Sequence, residues 1–156
     1  MHNAYKVVLF GHRDFSGYRI LDVELFELLK DLISEKEFLE IFVGHNGEFD
    51  IYAASVVKRV QRIVGKINNE LICMLPYPVK NIEYYDAYYD SVQVFESRET
   101  HPKGLIAKRN RYLVEACDLM ICYVERMDGG AYQAMRYASR LNKKIINLAH
   151  RQVSIT

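Results

Sequence analysis

Cysteine is scarce in this chain: Cys73, Cys117 and Cys122 are odd in number and show neither CxxC nor Cys/His spacing. That pattern argues against a disulfide framework and a structural zinc site, and the apolar neighbours of all three predict buried thiols in a reducing compartment. Charge of one sign is equally lacking, since 21 Lys and Arg against 20 Asp and Glu leave a formal charge of +1. No overall field is available to hold a nucleic-acid backbone or an anionic membrane, so no sequence-specific nucleic-acid partner is expected and any anion site has to be local. Long hydrophobic runs are missing too. The opening MHNAYKVVLFGHR has an apolar run of strand length only, without a basic lead or a small-residue cleavage site. A cytoplasmic protein without membrane association is the expectation.

What the chain does have is a hydrophobic half of its 156 residues, enough to bury one domain's core without disulfides or metal. Short β-branched or aliphatic runs alternate with longer stretches of helical spacing, which predicts an α/β fold. The expected form is a Rossmann-like, doubly wound, mainly parallel sheet with helices on both faces. The strand segments are Tyr5–Phe10, Phe38–Val43, Glu70–Leu75, Leu119–Val124 and Lys144–Leu148, apolar throughout rather than alternating. Helices are expected over Ile20–Glu37, from an Asp50 cap to about Gly65, from Gly104 to Ala116 and from Ala131 to Leu141. Residues 76–103, with three prolines and the cluster Tyr84, Tyr85, Tyr88 and Tyr89, read as an irregular insert with room for one further strand. The tail from His150 to Thr156 carries no signal, and no repeat or linker divides residues 1–156, so one domain is expected.

In such a sheet, ligands bind beyond the carboxyl ends of the strands, where loops lead into helix N-termini with unpaired N–H groups. The unusual residues of this sequence fall there. Gly11, His12 and Arg13 follow the first strand; Gly44, His45, Asn46, Gly47, Glu48 and Asp50 follow the second; Asp128, Gly129, Gly130 and Ala131 follow the run Leu119–Val124. Glycines let a phosphate approach the backbone, although a glycine pair between strand and helix is commonly turn chemistry alone. Neither GxGxxG nor GxxxxGK[ST] is present, so no cofactor or P-loop is assigned, and no metal is expected. His12 and His45 suit either acid–base work or a polar loop. Lys108, Arg109 and Arg111 read as a solvated basic face, and the tyrosines as packing, self-association or a surface on which a base could stack.

Four stretches together resemble the SLOG superfamily, with its YpsA-like proteins and Lonely Guy phosphoribohydrolases. They are FGHR (Phe10–Arg13), G-x-N-G-x-F-D (Gly44–Asp50), RN-x-Y-x-V-x-x-C-D (Arg109–Asp118), and Gly129-Gly130-Ala131 before a helix ending in Tyr137-Ala138. The resemblance implies a Rossmann-like fold holding a nucleotide or nucleotide-derived ligand, with the glycine turns near phosphate and Arg109 and Asn110 in the binding set. It also implies a partner for Arg109 in cleaving an N-glycosidic bond, but the glutamate of the Lonely Guy GGxGTxxE motif is absent and Arg136 stands in its place. An arginine is no general base at neutral pH. Glu48 is then the first candidate to supply the carboxylate beside Arg109, with Asp50 and Glu125 as alternatives. Helical spacing sends Asn110 and Arg111 to faces other than Arg109's. Three readings stay open: a nucleotide sensor or binding domain, an N-glycosidic hydrolase or transferase acting on nucleoside monophosphates, and an interaction module with a vestigial pocket, with a homodimer as a possible assembly.

Overall fold

The computed structural model describes residues 4–150. Six strands, β1 (Ala4–Gly11), β2 (Phe38–Val43), β3 (Asn69–Leu75), β4 (Ser91–Val94), β5 (Leu119–Tyr123) and β6 (Lys144–Asn147), form one sheet in the order β4-β3-β2-β1-β5-β6. Every neighbouring pair is parallel. The five segments expected from apolar continuity are all present, each within one residue of its expected ends. Their continuity follows from burial on both faces.

Helix α1 runs over residues 18–35, with a π turn at Leu21–Leu25 between Tyr18–Ile20 and Phe26–Glu35. Helices α2 (Glu48–Val64), α3 (Ile82–Tyr88), α4 (Pro102–Ala116) and α5 (Gly129–Arg140) complete the crossovers. Leu21, Leu25 and Leu29 of α1 and Ala53, Val57 and Val60 of α2 pack with Val7, Leu9, Ile41 and Ile121 on one face. On the other, Leu113 and Val114 of α4 and Ala134 and Ala138 of α5 pack with Val8, Phe10, Ile72 and Met120. The chain thus reverses direction across the sheet at β1, whose neighbours are β2 and β5, and leaves a crevice at their carboxyl ends.

Two expected helix starts move. Gly47, in extended backbone, is the N-cap of α2, which places Asp50 in the first turn rather than at the cap. The α4 helix opens at Pro102, where His101 Nδ1 accepts the Lys103 N–H at 3.3 Å, and Gly104 lies inside it. Proline at that position loses no bond, because its missing N–H would have had no helical partner.

Residues 76–103 are more regular than expected, for they hold α3 and the parallel edge strand β4, paired from Ile72↔Ser91 to Leu75↔Val94. Asp90 sets this register. Its N–H donates to the Leu71 carbonyl at 3.0 Å while its carboxylate accepts from the Leu71 N–H at 2.8 Å, from Gln61 Nε2 at 2.8 Å and from Lys66 Nζ at 2.7 Å. Burial opposes that charge, yet these donors hold the carboxyl below its ordinary range. The tyrosine stripe divides: Tyr89 is buried and stacks with Tyr85 at 6.5 Å, whereas Tyr84 and Tyr88 are exposed.

All three cysteines are buried, and burial pushes the Cys73 and Cys122 thiols up to about 12, so both stay protonated at neutral pH. Among the described residues, no helix is long and apolar enough to cross a membrane. The tail residues 151–156 lie outside the described residues.

Candidate functional site

A cavity of about 330 Å³ occupies the crevice between the carboxyl ends of β1, β2 and β5. The β1–α1 turn contributes Gly11, His12, Arg13 and Asp14, and the β2–α2 turn contributes Gly44, Asn46, Gly47 and Asp50. Opposite them stand Arg126, Gly129, Gly130 and Ala131 from the β5–α5 turn, with Ile106, Arg109, Asn110 and Leu113 of α4 closing the remaining side. Every ligand-binding residue expected from the sequence therefore borders one space. Glu48 does not: its carboxylate turns away, accepting the Phe15 N–H at 3.4 Å and the Tyr18 hydroxyl at 3.0 Å. Its place on a glycine-rich turn suggested the cavity, but at the first position of α2 its side chain falls over the start of α1.

The glycines separate into two kinds. A Cβ on Gly11 would stand 2.1 Å from Phe49 Cγ, and one on Gly47 would stand 2.6 Å from Arg13 Cα, so these two are small because the protein itself packs against them. Gly44 makes room for charge, since a Cβ there would lie 3.0 Å from both Arg109 Nη1 and Asp50 Oδ2. Gly129 and Gly130 differ. Gly129 has φ +86° with nothing within 4 Å of a built Cβ, and at Gly130 only Asn110 Nδ2 comes within reach, at 3.7 Å. Their backbone opens α5, and Asp128 at the N-cap makes no side-chain capping bond. First-turn N–H groups have no partner within their own helix, and the helix dipole adds partial positive charge at that end.

His12 is a fastener rather than a base. It is buried, and its Nε2 accepts the N–H groups of Glu125 at 3.0 Å and Arg126 at 3.3 Å, tying the end of β1 to the turn after β5. Accepting at Nε2 places the proton of the neutral ring on Nδ1. Burial, and then Arg126, push its pKa below the ordinary histidine value. His45 is likewise lowered by burial; its Nδ1 is hydrogen-bonded to the Tyr89 hydroxyl at 2.6 Å, and it does not border the cavity.

Across the mouth, Arg126 grips Asp14 with two bonds, Nη1 to Oδ2 at 2.9 Å and Nη2 to Oδ1 at 2.8 Å, and its Nε lies 3.4 Å from Asp128. That fork holds the Asp14 carboxyl down at about 2. Sequence reasoning missed both residues. The available signal was their position, each within three residues of a strand end that feeds the crevice.

Arg109 lies on no solvated face: it is 3% exposed. Its Nη1 donates to the Met74 carbonyl at 2.7 Å and its Nε to Asn110 Oδ1 at 3.0 Å. Burial lowers the guanidinium's pKa while Asp50 acts to raise it, and it stays a cation at neutral pH. Asn110, expected on another face, also borders the cavity, and the bond to Arg109 leaves its Nδ2 donor toward Gly130. Burial pushes the Asp50 carboxyl above its ordinary value, opposed by the Asn46 N–H at 3.0 Å, by Arg109 and by Arg13. The cavity thus offers an open amide turn, a buried guanidinium with donors to spare, a side-chain amide and a carboxyl whose charge is opposed by burial. An anionic oxygen fits that set.

The architecture is that of a Rossmann-like α/β protein with its crevice at the switch point. Among solved structures it is similar to DNA processing protein A from Streptococcus pneumoniae, with a TM-score of 0.66 and 16% identity over 90% of this chain and 49% of that one. It is also similar to DNA processing protein A from Helicobacter pylori, solved for its single-stranded DNA binding mode, with a TM-score of 0.62 and 19% identity over 90% of this chain and 63% of that one. The chain therefore spans between about half and under two thirds of those proteins. At 16% and 19% identity these likenesses show the Rossmann-like fold. No family model and no curated protein matches the chain. The expectation that ruled out a sequence-specific nucleic-acid partner is withdrawn, because a neighbour in the same fold binds single-stranded DNA. Net charge was the wrong guide: a sum near zero says nothing about how cations cluster.

Proposed function

We propose that the chain binds the phosphate of a nucleotide or nucleotide-derived ligand in the switch-point cavity, as a binding or sensor domain. The observation that carries this reading is the Gly129–Gly130 turn, open toward Arg109 and Asn110 with no side chain closing it. Its N–H groups and the start of α5 receive the phosphate, and Arg109 and Asn110 supply donors from the opposite wall. Arg109 is already oriented by Met74 and Asn110, so little side-chain entropy is lost on binding.

An N-glycosidic hydrolase would draw its carboxyl from Asp50 rather than Glu48, because Asp50 borders the cavity and Glu48 does not. A single strand of DNA also presents nucleotide phosphates, and the Helicobacter pylori neighbour binds one. Thermal shifts and base release across one panel of nucleosides, nucleotides and short oligonucleotides test these readings together. Stabilisation by phosphorylated members without base release supports binding, and base release supports the hydrolase. Equal response to nucleosides and nucleotides overturns the phosphate site.

A further inference from the structure

A second space, a groove of about 510 Å³ between α4 and α5, adjoins the cavity and shares Ile106, Asn110 and Gly130 with it. Lys103, Arg111 and Arg140 line this groove, and no acidic side chain does so among the described residues. The arrangement follows from helical spacing: Lys103, Ala107 and Arg111 recur on one face of α4, while Gly130, Gln133 and Tyr137 recur on the facing side of α5. None of the described ion pairs engages these three cations. Arg140 lies 5.7 Å from the Tyr137 ring, and the nearby Glu115 carboxylate accepts the Tyr137 hydroxyl at 2.6 Å. In a chain of formal charge +1, three cations without carboxylate partners along one groove are a local field that the total conceals.

We propose that this groove is a second binding site, a track for the sugar-phosphate backbone of a single-stranded nucleic acid with one nucleotide in the cavity. The inference rests on the phosphate reading of the cavity and names its ligand as a chain. From Gly130 to Arg140 the groove follows α5 for about 15 Å at 1.5 Å per residue. That length takes on the order of four stacked nucleotides at about 3.4 Å each, so a mononucleotide leaves it empty. The exposed cations meet phosphate oxygens, while Asn110 and Gly130, shared by both spaces, mark where the chain passes from groove to cavity.

The test is fluorescence anisotropy with a short labelled oligothymidylate over a range of salt, beside calorimetric titration with thymidine monophosphate. The variants are the triple Lys103→Ala/Arg111→Ala/Arg140→Ala and a control, Lys30→Ala/Arg62→Ala/Lys144→Ala, which removes three exposed cations elsewhere. The groove variant is expected to bind oligothymidylate roughly tenfold to a hundredfold more weakly, with the salt slope reduced by about 2, near 0.7 for each lost contact to a single strand. Its affinity for thymidine monophosphate stays that of the wild type. Equal oligonucleotide affinity and slope in the two triple variants overturns the groove. So does a wild type that binds oligothymidylate no more tightly than the mononucleotide, and in that case measurable mononucleotide binding leaves the cavity reading standing. Groove-dependent binding of the oligomer without any binding of thymidine monophosphate supports the track and sinks the cavity reading.

Discussion

A Cβ built on Gly130 meets nothing nearer than Asn110 Nδ2 at 3.7 Å, and the backbone there is not left-handed, so Gly130→Val is expected to fold. Glycine in a helix costs about 0.8–1.0 kcal/mol relative to alanine and valine somewhat less, which leaves stability within about 0.5 kcal/mol of the wild type. Binding is another matter. The branched side chain stands in the cavity before the α5 amides and displaces a phosphate from one or two charge-assisted bonds. At about 1.5–3 kcal/mol in total, affinity falls roughly tenfold to a hundredfold. Gly129→Val supplies the contrast. With φ +86° and open space around it, its cost is backbone strain, about 1–2 kcal/mol or more for a β-branched residue. Of the two single variants, only Gly130→Val is expected to keep wild-type stability. Urea melts and calorimetric titration with a nucleoside monophosphate measure the two effects. A folded Gly130→Val protein with wild-type affinity refutes the phosphate site.

Arg109→Ala strips donors from the buried Met74 carbonyl and from Asn110, so urea melts should show a loss of about 1–3 kcal/mol. Arg109→Lys keeps the charge without the fork and is expected to recover only part of the binding; Arg111→Ala, on an exposed residue, leaves mononucleotide affinity unchanged, and equal affinities in the Arg109→Lys variant and the wild type would refute the fork's role. His12 titrates below its unfolded value of 6.5, so its contribution to stability is complete above about pH 6.5 and is lost as pH falls through the lower folded value. Melts across that window should show a flatter acid limb in His12→Gln, with His45 supplying a remainder of the same sign. Asp14→Asn loosens the two-bond grip on Arg126, leaving only Asp128 against it, and is expected to tighten phosphate binding; weaker binding in the same titration would show that the Asp14 fork positions rather than restrains Arg126. Asp90→Ala removes the acceptor that fixes β4, and faster amide exchange across Val92–Val94 with a loss of about 1–2 kcal/mol is the expected result.

The central strands were legible because burial on both faces leaves an uninterrupted apolar run, and Phe38–Val43 is recovered with its expected boundaries. Edge strand β4 was not, since four residues with Gln93 and Val94 exposed carry no such run, and its register comes from Asp90, a tertiary contact. The irregular insert expected at 76–103 was therefore a short helix and strand below the length at which periodicity speaks. In the crevice, strand-end position was a sound guide to which residues gather and a poor guide to what each does. Gly11, Gly44 and Gly47 prove small for Phe49, the Arg109 guanidinium and the Arg13 backbone, none of which spacing reveals. Arg109 looked like surface charge because its helix also carries the exposed Lys108 and Arg111, and only the fold brings its guanidinium to the carbonyl of Met74. Asp14 and Arg126, far apart in sequence, became visible as a pair only once β1 and β5 lay side by side.

The most direct test of the phosphate site is an amide NMR titration of the wild-type chain with a nucleoside monophosphate and, separately, with its nucleoside. Saturable shifts are expected at the amides of Gly129, Gly130 and Ala131, at the Asn110 side-chain amide and at Arg109 Nε with the nucleotide, and much weaker ones with the nucleoside. Shifts that leave the α5 N-terminus untouched, or that are the same for both compounds, contradict the phosphate site.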